Sequence, residues 1–285
     1  MTTLVSLDGK ILPPGRARIS VFDRGFLYGD SIYEVLRTYR GKLFETEAHL
    51  DRLERSAALI GLTLPVSRAT LLARSVRLLR AAGNTEAYLR LIVTRGEGEI
   101  GLDPALAVDP REVLVARALH APPPELYRDG VRVCVVGVRR TPREAVDPAA
   151  KTGNYLNSVL ALREARQQGG YEALMLDALG QVTEGSSSNV FALLDDRLVT
   201  PPLRGILEGV TRRIVLSLAA SLGIPSVEAP LWPADLLRAS ELFLTSTTRE
   251  LVPIVAVDGA RIGDGRPGPT TLRLLQAFRD RTATI

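Results

Sequence analysis

The sequence predicts an α+β fold of two domains, a small one over residues 1–120 and a larger one over residues 129–285. Length is the first reason, because 285 residues, 46% of them hydrophobic and 24% charged, can bury two soluble globular cores. Second, the hydrophobic period switches between that of strands and that of helices in both halves. Third, three consecutive prolines at positions 122–124 cannot lie inside a helix or a central strand, so residues 121–128 are predicted to link the domains.

The first half alternates strand and helix patterns. Strands are expected at residues 31–39, 87–95 and 112–118, and helices at residues 46–59 and 68–82. A loop over residues 25–30 is expected to lead into the first of these strands. Four residues of the first helix share one apolar face and are expected to be buried: Leu50, Leu53, Ala57 and Ala58.

The second half has the same mixture. Helices are expected at residues 155–167 and 210–222, and strands at residues 131–139, 172–176, 189–194, 242–246 and 254–257. The apolar residues that the first of these helices is expected to bury are Leu156, Val159, Leu160 and Leu162. The single cysteine, Cys134, lies in an apolar strand pattern, which predicts a buried thiol and excludes an internal disulfide.

Charge and hydropathy exclude several classes of function. The 36 basic and 32 acidic residues leave a formal charge of +4, and the arginines are spread along the whole chain between acidic residues. Without a basic tract, neither nucleic acid nor a membrane surface is an expected partner. No apolar run has the length of a signal peptide or of a membrane span, so a cytoplasmic protein is expected.

Lysine is rare in this sequence, since only three of the 36 basic residues are lysines. Arginine is always charged, so an amine that must lose its proton and attack a carbonyl is usually a lysine. Lys10 and Lys42 each follow a glycine in a probable turn, where a solvated ammonium is expected. Lys151 lies instead in the polar segment 147–157 and is therefore the candidate nucleophile.

Three polar segments of the second half are candidate ligand loops. Residues 183–189 and 245–248 are rich in hydroxyls and fit either turns or a phosphate cradle. Residues 205–211 precede a predicted helix, whose N–H groups would attract an anion, although a plain helix start with Thr211 as a cap is equally compatible. Each segment is weak evidence by itself, and no metal site is predicted.

Taken together with Lys151, these segments resemble the fold-type IV pyridoxal-phosphate enzymes, which include branched-chain aminotransferases, D-amino-acid aminotransferases and aminodeoxychorismate lyases. The segments that carry the resemblance are residues 23–30, 49–52, 151–157, 183–191, 209–212 and 241–248. The resemblance implies a small and a large α/β domain, pyridoxal 5'-phosphate in the cleft between them, and a homodimer. It also implies transamination between an amino acid and a keto acid in two half-reactions at one site.

The resemblance assigns roles residue by residue. Lys151 would bond to the cofactor aldehyde and then move the substrate proton, while Glu184 would keep the pyridine nitrogen protonated. Arg52 would grip the cofactor phosphate as a bidentate donor. Further cofactor contacts are implied for Tyr155, Ser187, Ser188, Asn189, Val210, Thr211, Ser246 and Thr247. Substrate contacts are implied for Tyr28, Tyr33, Tyr88, Arg90, Leu102, Thr247 and Thr248.

Substrate choice divides the family, and three enzymatic alternatives stay open. Tyr88 and Arg90 match a Tyr-x-Arg pattern of branched-chain aminotransferases, in which the arginine helps to recognise a substrate carboxylate, and 2-oxoglutarate would be the acceptor. Tyr28 and the 101–104 loop match elements that a partner subunit contributes. The 96–104 stretch lacks the arginine and histidine pair typical of D-amino-acid aminotransferases, so a D-amino-acid or (R)-amine enzyme would need another carboxylate trap. An aminodeoxychorismate lyase and a non-catalytic binding protein are the remaining alternatives.

Overall fold

A computed structural model describes residues 2–285, which form two compact units. The first unit comprises residues 2–120, 150–154 and 285, and the second comprises residues 121–149 and 155–284. Both units mix helices and strands, as predicted. Residues 150–154 were expected in the larger domain, but they pair with the first unit: Tyr33 N–H donates to the Lys151 carbonyl (3.0 Å) and Gly153 N–H to the Ser31 carbonyl (2.7 Å).

The first unit is an antiparallel sheet covered by helices. Its helices are α1 (Arg24–Tyr28), α2 (Thr46–Leu59) and α3 (Arg68–Ala82). Its strands are β1 (Leu4–Leu7), β2 (Lys10–Leu12), β3 (Ser31–Tyr39), β4 (Lys42–Leu43), β5 (Ala87–Thr94) and β6 (Arg111–Ala118). The strand order is β2-β1-β6-β5-β3-β4, and every neighbouring pair is antiparallel.

Two-residue turns close the two edge hairpins of this sheet. Asp8 and Gly9 have φ values of 48° and 87°, and Arg40 and Gly41 have values of 50° and 81°. Positive φ at both turn positions matches the twist of antiparallel strands and favours glycine. The exposed lysines that follow these turns, Lys10 and Lys42, therefore begin the return strands, as their turn sequences predict.

The core of the first unit lies on the sheet face that α2 and α3 cover. Strand β5 alternates buried and half-buried residues, because period-2 geometry sends alternate side chains to opposite faces. The strand residues in this core are Ile32, Leu36, Ala87, Leu89, Leu91, Val93, Leu114 and Ala116. Helix α2 buries Leu50, Leu53 and Ala57 as predicted, but Ala58 is exposed, because the buried stripe is completed instead by His49, Arg52 and Ser56.

The second unit is built on a nine-stranded mixed sheet. Its helices are α4 (Glu125–Arg128), α5 (Leu156–Gln167), α6 (Val210–Ser221), α7 (Pro233–Arg238) and α8 (Pro269–Ala283). Its strands are β7 (Val131–Val135), β8 (Glu172–Leu176), β9 (Val182–Gly185), β10 (Asn189–Leu194), β11 (Arg197–Thr200), β12 (Ser226–Glu228), β13 (Glu241–Ser246), β14 (Glu250–Val257) and β15 (Ala260–Arg261). The order is β12-β11-β10-β13-β14-β7-β8-β9, with β15 paired to β14.

Helix α5 buries small residues, contrary to the sequence prediction. Leu156 and Val159 are 62% and 57% exposed, whereas Ala161 and Ala165 are fully buried. The two alanines pack in a cluster with Cys134, Val136, Ala173 and Met175 of this unit. Alanine lets the helix approach the sheet closely, so the larger side chains face outward. The cysteine is buried in β7, as predicted.

Local structure differs from the prediction in several other segments. Residues 24–28 form α1 within the expected loop, with Asp23 accepting from Gly25 N–H at its N-terminus (2.7 Å). The expected linker contains α4, which begins directly after the three prolines, and the C-terminal helix α8 was not predicted. Within residues 2–285, none of the helices has the length and apolar composition needed to cross a membrane.

Candidate active site

Lys151 is held by its backbone between strand β3 and helix α2 of the first unit. Its N–H donates to Ser56 Oγ (3.0 Å), and that hydroxyl donates to the Arg52 carbonyl one turn earlier (2.8 Å). Its amine lies 4.5 Å from the centroid of the Tyr33 ring, and its side chain is partly exposed. The lysine is therefore fixed at the backbone while its amine remains able to meet a ligand.

A buried carboxylate, Glu34, organises this part of the site. Arg52 donates from Nε and Nη2 to its two oxygens at 2.7 Å each, a bidentate pair. His49 Nδ1 lies 2.7 Å from Oε2, and because an ionised carboxylate only accepts, we assign the proton to Nδ1. His49 Nε2 is then a buried acceptor, and no donor reaches it from residues 2–285.

The electrostatics of this trio depend on Arg52. Burial opposes ionisation of Glu34, but the charge and hydrogen bonds of Arg52, with smaller contributions from His49, lower its pKa to about 2. Burial also lowers the pKa of His49, against the opposing effect of Glu34, and the positive charges of Arg52 and Lys151 add to the lowering. The trio therefore contains one carboxylate, one guanidinium and a neutral imidazole at neutral pH.

The bidentate grip of Arg52 on a phosphate stays a prediction, and the structure shows which edge of the guanidinium is already in use. In the structure its bidentate partner is Glu34, which occupies the edge formed by Nε and Nη2. Both residues are almost completely buried. A phosphate would thus meet Arg52 through a different part of the guanidinium, which carries five N–H donors.

The sheet face opposite the helices brings together three of the predicted substrate residues. Tyr33 is paired with Ile92 and Tyr88 with Arg37, so alternation places Tyr33, Tyr88 and Arg90 on one face. The Arg90 guanidinium lies 4.0 Å from the centroid of the Tyr33 ring. Lys151 contacts the same ring, so its amine and the Arg90 guanidinium are at most about 8.5 Å apart, the two centroid distances taken end to end.

The loop over residues 101–104 is positioned by α1. Arg24 donates from Nη1 to the Gly101 carbonyl (2.7 Å) and from Nη2 to the Leu102 carbonyl (3.2 Å). The Tyr28 hydroxyl accepts from Gly101 N–H (3.2 Å). These bonds hold the loop by its backbone, and the side chain of Leu102 is 83% exposed. The structure thus joins Tyr28 to the loop that carries Leu102, through Gly101, which lies 73 positions further along the sequence.

In the second unit, the Glu184 carboxylate is held by three donors. Its Oε1 accepts from Arg140 Nε (2.9 Å), and its Oε2 accepts from Leu207 N–H (3.1 Å) and from Asn189 Nδ2 (3.3 Å). Asn189 also donates to the Leu207 carbonyl (3.0 Å), so its amide orients Glu184 and the segment before α6.

The start of α6 lies beside this carboxylate group. Gly209 is the N-cap and forms no side-chain cap, while Val210 and Thr211 open the helix. A Cβ on Gly209 would lie 1.9 Å from Asn189 Oδ1, so glycine is needed here for close approach. Thr245 is paired with Asn189 across the sheet, and within residues 2–285 its buried hydroxyl oxygen has no hydrogen-bond partner.

The hydroxyls of the serine-rich turn donate to another buried carboxylate, Glu172. Buried Glu172 accepts from Ser187 Oγ (3.2 Å) and Ser188 Oγ (3.3 Å), and also from the amide and hydroxyl of Ser186. Arg249 donates to the same carboxylate (3.0 Å). The hydroxyls of Ser187 and Ser188 therefore stabilise the turn, because a buried carboxylate needs donors. Their contact with a cofactor stays a prediction.

The remaining predicted residues lie at element ends of the second unit. Ser246 ends β13, and its hydroxyl accepts from Arg249 Nε (3.0 Å). Thr247 and Thr248 form the turn into β14 and are half-buried. Tyr155 precedes α5 as its N-cap residue. Arg249 thus ties the 246–249 turn to the 186–188 turn.

Sequence reasoning missed the residues that position the predicted ones. They are Glu34, His49, Ser56, Arg140, Glu172 and Arg249. Glu34 had a usable signal, because strand alternation places it with Ile32 and Leu36 on the buried face, where a carboxylate needs a cationic partner. His49 also had one, since it lies three residues before Arg52 on a predicted helix.

Comparison with known proteins agrees with this geometry. The family described as amino-transferase class IV matches residues 31–257. A protein of Methanocaldococcus jannaschii named "Putative branched-chain-amino-acid aminotransferase" is 41% identical over 97% of this chain and 95% of its own length. The D-alanine aminotransferase of Bacillus licheniformis is 32% identical over 97% of this chain and 96% of its own.

Solved structures give the same result. The branched-chain amino acid aminotransferase of Escherichia coli superimposes with a TM-score of 0.94 at 31% identity, covering 98% of this chain and 94% of that one. The branched-chain aminotransferase of the archaeon Thermoproteus uzoniensis, solved with norvaline, gives 0.91 at 34% identity, covering 98% and 94%. The family resemblance inferred from the motifs is thereby confirmed, and the chain belongs to the class IV aminotransferases.

Proposed function

We propose that this aminotransferase moves the amino group of a branched-chain or related aliphatic L-amino acid to 2-oxoglutarate, with pyridoxal 5'-phosphate as its cofactor. One observation carries the proposal: the Lys151 amine and the Arg90 guanidinium lie 4.5 and 4.0 Å from the centroid of one tyrosine ring, Tyr33. An amine that can attack a carbonyl thus lies close to a cation that can hold a carboxylate. The relatives named as branched-chain aminotransferases support the substrate class.

The residues present fit the cofactor. The N–H groups at the start of α6 suit a phosphate, since Gly209 supplies no capping side chain. The buried hydroxyl of Thr245, which is paired with Asn189 across the sheet, has no partner within residues 2–285 and can bond to a polar ligand atom. Glu184, held by three donors, suits a protonated ring nitrogen. We propose that Val210, Thr211 and Thr247 bind the phosphate, with Arg52 adding its charge.

Each protein group then has a defined task. Bound pyridoxal phosphate supplies an electron sink that stabilises negative charge on the substrate α-carbon. Lys151 Nζ takes the α-proton and returns it, which requires the neutral amine. Glu184 keeps a proton on the ring nitrogen, and Tyr155 donates its hydroxyl toward the ring oxygen. Arg90, with Tyr88 and Tyr33 beside it, binds a substrate carboxylate, and Thr248 completes the substrate contacts.

A second candidate is a D-amino-acid aminotransferase, which the D-alanine aminotransferase relatives favour. The stretch 96–104 contains no arginine and no histidine, so the carboxylate trap would have to come from other residues. Arg90 is the best available cation, because it lies on the same sheet face as Tyr33 and close to the Lys151 amine. The two candidates therefore differ in substrate stereochemistry and share their catalytic lysine.

We propose a homodimer in which the partner contributes its 101–104 loop to the active site. The loop is fixed by Arg24 and Tyr28, and it presents exposed Leu102. Large exposed apolar residues flank the loop in sequence, at Ile100 and Val108, and also lie next to Arg24 and Tyr28, at Val21, Phe22 and Phe26. Clustered exposed apolar residues are typical of protein interfaces. The predicted partner-subunit role of Tyr28 and Leu102 is consistent with this exposure.

The first test is a single half-reaction. The cofactor-loaded protein is mixed with L-leucine or with D-alanine, and the visible absorbance of the bound cofactor is followed. Loss of absorbance with L-leucine supports the proposal, whereas loss with D-alanine alone would transfer the assignment to the second candidate.

Lys151→Ala is expected to abolish turnover, because no other lysine lies in the site. Cofactor binding should weaken but persist, since the proposed phosphate contacts remain. The Lys42→Ala variant is the matched control, because that lysine is exposed after the β3–β4 turn and should leave turnover unchanged. Turnover of the Lys151→Ala protein at the parent rate would refute the proposed role.

A further inference from the structure

We propose that Arg117 joins Arg90 in a subsite for the side-chain carboxylate of a dicarboxylic amino acid or keto acid. The subsite lies on the face of the first unit's sheet opposite α2 and α3. This inference rests on the proposed function, because it concerns the substrate of the same site. It adds a residue that selects dicarboxylates over aliphatic substrates.

Strand register puts the two arginines on the same face. Tyr88 is paired with Arg117 across β5 and β6, and Arg90 is paired with Val115. Arg117 is therefore the diagonal neighbour of Arg90, at a backbone separation of about 7–8 Å. Long side chains bridge that separation, so both guanidiniums can reach one ligand group.

The two guanidiniums rest on tyrosine rings. Arg90 lies 4.0 Å from the centroid of Tyr33, and Arg117 lies 4.7 Å from the centroid of Tyr88. Stacking on an aromatic ring orients a guanidinium and leaves its N–H edge for an anion. The tyrosines thus hold both cations in place before a ligand arrives.

Charge pairing distinguishes these arginines from other arginines on the sheet and on the helices that cover it. On the helix-covered face, Arg52 contacts Glu34 at 2.7 Å and Arg74 lies 3.0 Å from Glu112. Even Arg37, which shares the face of Arg90, contacts Glu86 at 3.2 Å.

Arg90 and Arg117 lack such a partner. Across residues 2–285, no carboxylate lies within salt-bridge distance of either guanidinium, and both side chains are half-buried. Two neighbouring cations without a counter-charge repel each other, and a bound carboxylate would relieve that repulsion. The pair therefore has the electrostatic character of an anion site.

The order of Lys151, Arg90 and Arg117 across the sheet fits a substrate that extends away from the Lys151 amine. Lys151 and Arg90 share the ring of Tyr33, while Arg117 is one strand further across the sheet on β6. A substrate whose nitrogen is at Lys151 would direct its side chain across the sheet toward the two arginines. A terminal carboxylate would meet both guanidiniums, whereas an aliphatic side chain would meet only the tyrosine rings and arginine methylenes.

The test compares two unreactive ligands on the cofactor-loaded protein. Glutarate carries the two carboxylates of a five-carbon dicarboxylate, and pentanoate carries one. Isothermal titration calorimetry should show glutarate binding about tenfold more weakly to Arg117→Gln than to the parent, which corresponds to about 1.4 kcal/mol. The ratio of kcat/KM for L-glutamate to that for L-leucine should fall by a similar factor. Arg117→Lys should recover part of the loss, because it keeps the charge without the planar fork.

Arg111→Gln is the matched control. Arg111 lies on the same strand and, by alternation, on the same face, but its guanidinium contacts Asp8 at 2.8 Å. This variant should bind both ligands as the parent does. Equal weakening of glutarate and pentanoate by Arg117→Gln, or a glutarate Kd within about twofold of the parent value, would overturn the subsite. Failure of the parent to react with L-glutamate or L-leucine would instead overturn the proposed function. The calorimetric comparison of glutarate and pentanoate would still test the subsite.

Discussion

Replacing Glu34 by glutamine is expected to lower the free energy of unfolding of the cofactor-free protein by about 3 kcal/mol at neutral pH. The carboxylate is fully buried and accepts two hydrogen bonds from Arg52 and one from His49. Glutamine has nearly the same shape, but it carries no charge and offers a donor where two cationic N–H groups and an imidazole N–H converge. The buried guanidinium would lose its counter-charge.

The magnitude follows from the pKa of Glu34. Burial raises it and Arg52 lowers it more, so that it falls from 4.5 to about 2. One pKa unit corresponds to about 1.4 kcal/mol, so the difference between these two pKa values corresponds to about 3 kcal/mol of stability. Loss of one partner of a buried ion pair typically costs roughly 3–5 kcal/mol, in agreement with this figure.

The sign of the pH dependence is fixed by the same values. The folded pKa of Glu34 lies below the unfolded one, so its stabilisation is complete above about pH 4.5 and is lost as the pH falls toward about 2. Urea denaturation followed by circular dichroism at pH 7 and at pH 3 measures the difference between parent and variant. That difference should be largest at pH 7 and smaller at pH 3.

Glu112→Gln is the matched control, because Glu112 is also buried on the helix-covered face. Burial raises its pKa, and Arg74 opposes that rise only in part. Its contribution to stability is therefore present at low pH and lost as the pH rises, so this variant should be at least as stable as the parent at pH 7. A loss below about 1 kcal/mol for Glu34→Gln, or effects of equal sign for both variants, would refute the reasoning.

Two further predictions concern the cofactor site and the assembly. Gly209→Ala should weaken pyridoxal-phosphate binding about tenfold in a fluorescence titration, because its Cβ would lie 1.9 Å from Asn189 Oδ1. Gly205→Ala should bind pyridoxal phosphate as the parent does, because the nearest atom to its Cβ would be 3.7 Å away. Equal affinities for the two variants would contradict the proposed phosphate site at the start of α6. Light scattering should give a mass about twice the 30.9 kDa of one chain, and Phe26→Glu should shift it toward one chain mass; a parent protein of 30.9 kDa would exclude the dimer.

Local patterns predicted the regular elements well where one face is buried and the other is exposed. Helices α2 and α3 have the predicted bounds, because each repeats its apolar residues at helical spacing and a glycine follows within two residues of its end. The prediction was wrong for α5, where the large apolar residues were expected to be buried. The small residues Ala161 and Ala165 pack against the sheet instead, and periodicity alone does not predict how closely a helix will approach a sheet.

The site shows the same division. Rarity of lysine and a motif identified Lys151, and the family resemblance pointed to Arg52 and Glu184. The partners of these residues are distant in sequence, since Lys151 meets Ser56 across 95 positions and Glu184 meets Arg140 across 44. Hydrophobic periodicity predicts which face of a helix or strand a residue occupies. It does not predict which residue of another helix or strand will contact that residue.

The sequence by itself determined the fold class and the family and singled out Lys151 as the candidate nucleophile, because these depend on local periodicity and on residue types that the chemistry cannot replace. Only the tertiary structure decided which donors each carboxylate receives. In the structure, the serines of the 186–188 turn donate to Glu172, and the bidentate edge of Arg52 donates to Glu34. The reason is physical: a buried charge must be paired, and the pairing depends on which side chains the packed sheets bring within hydrogen-bond distance.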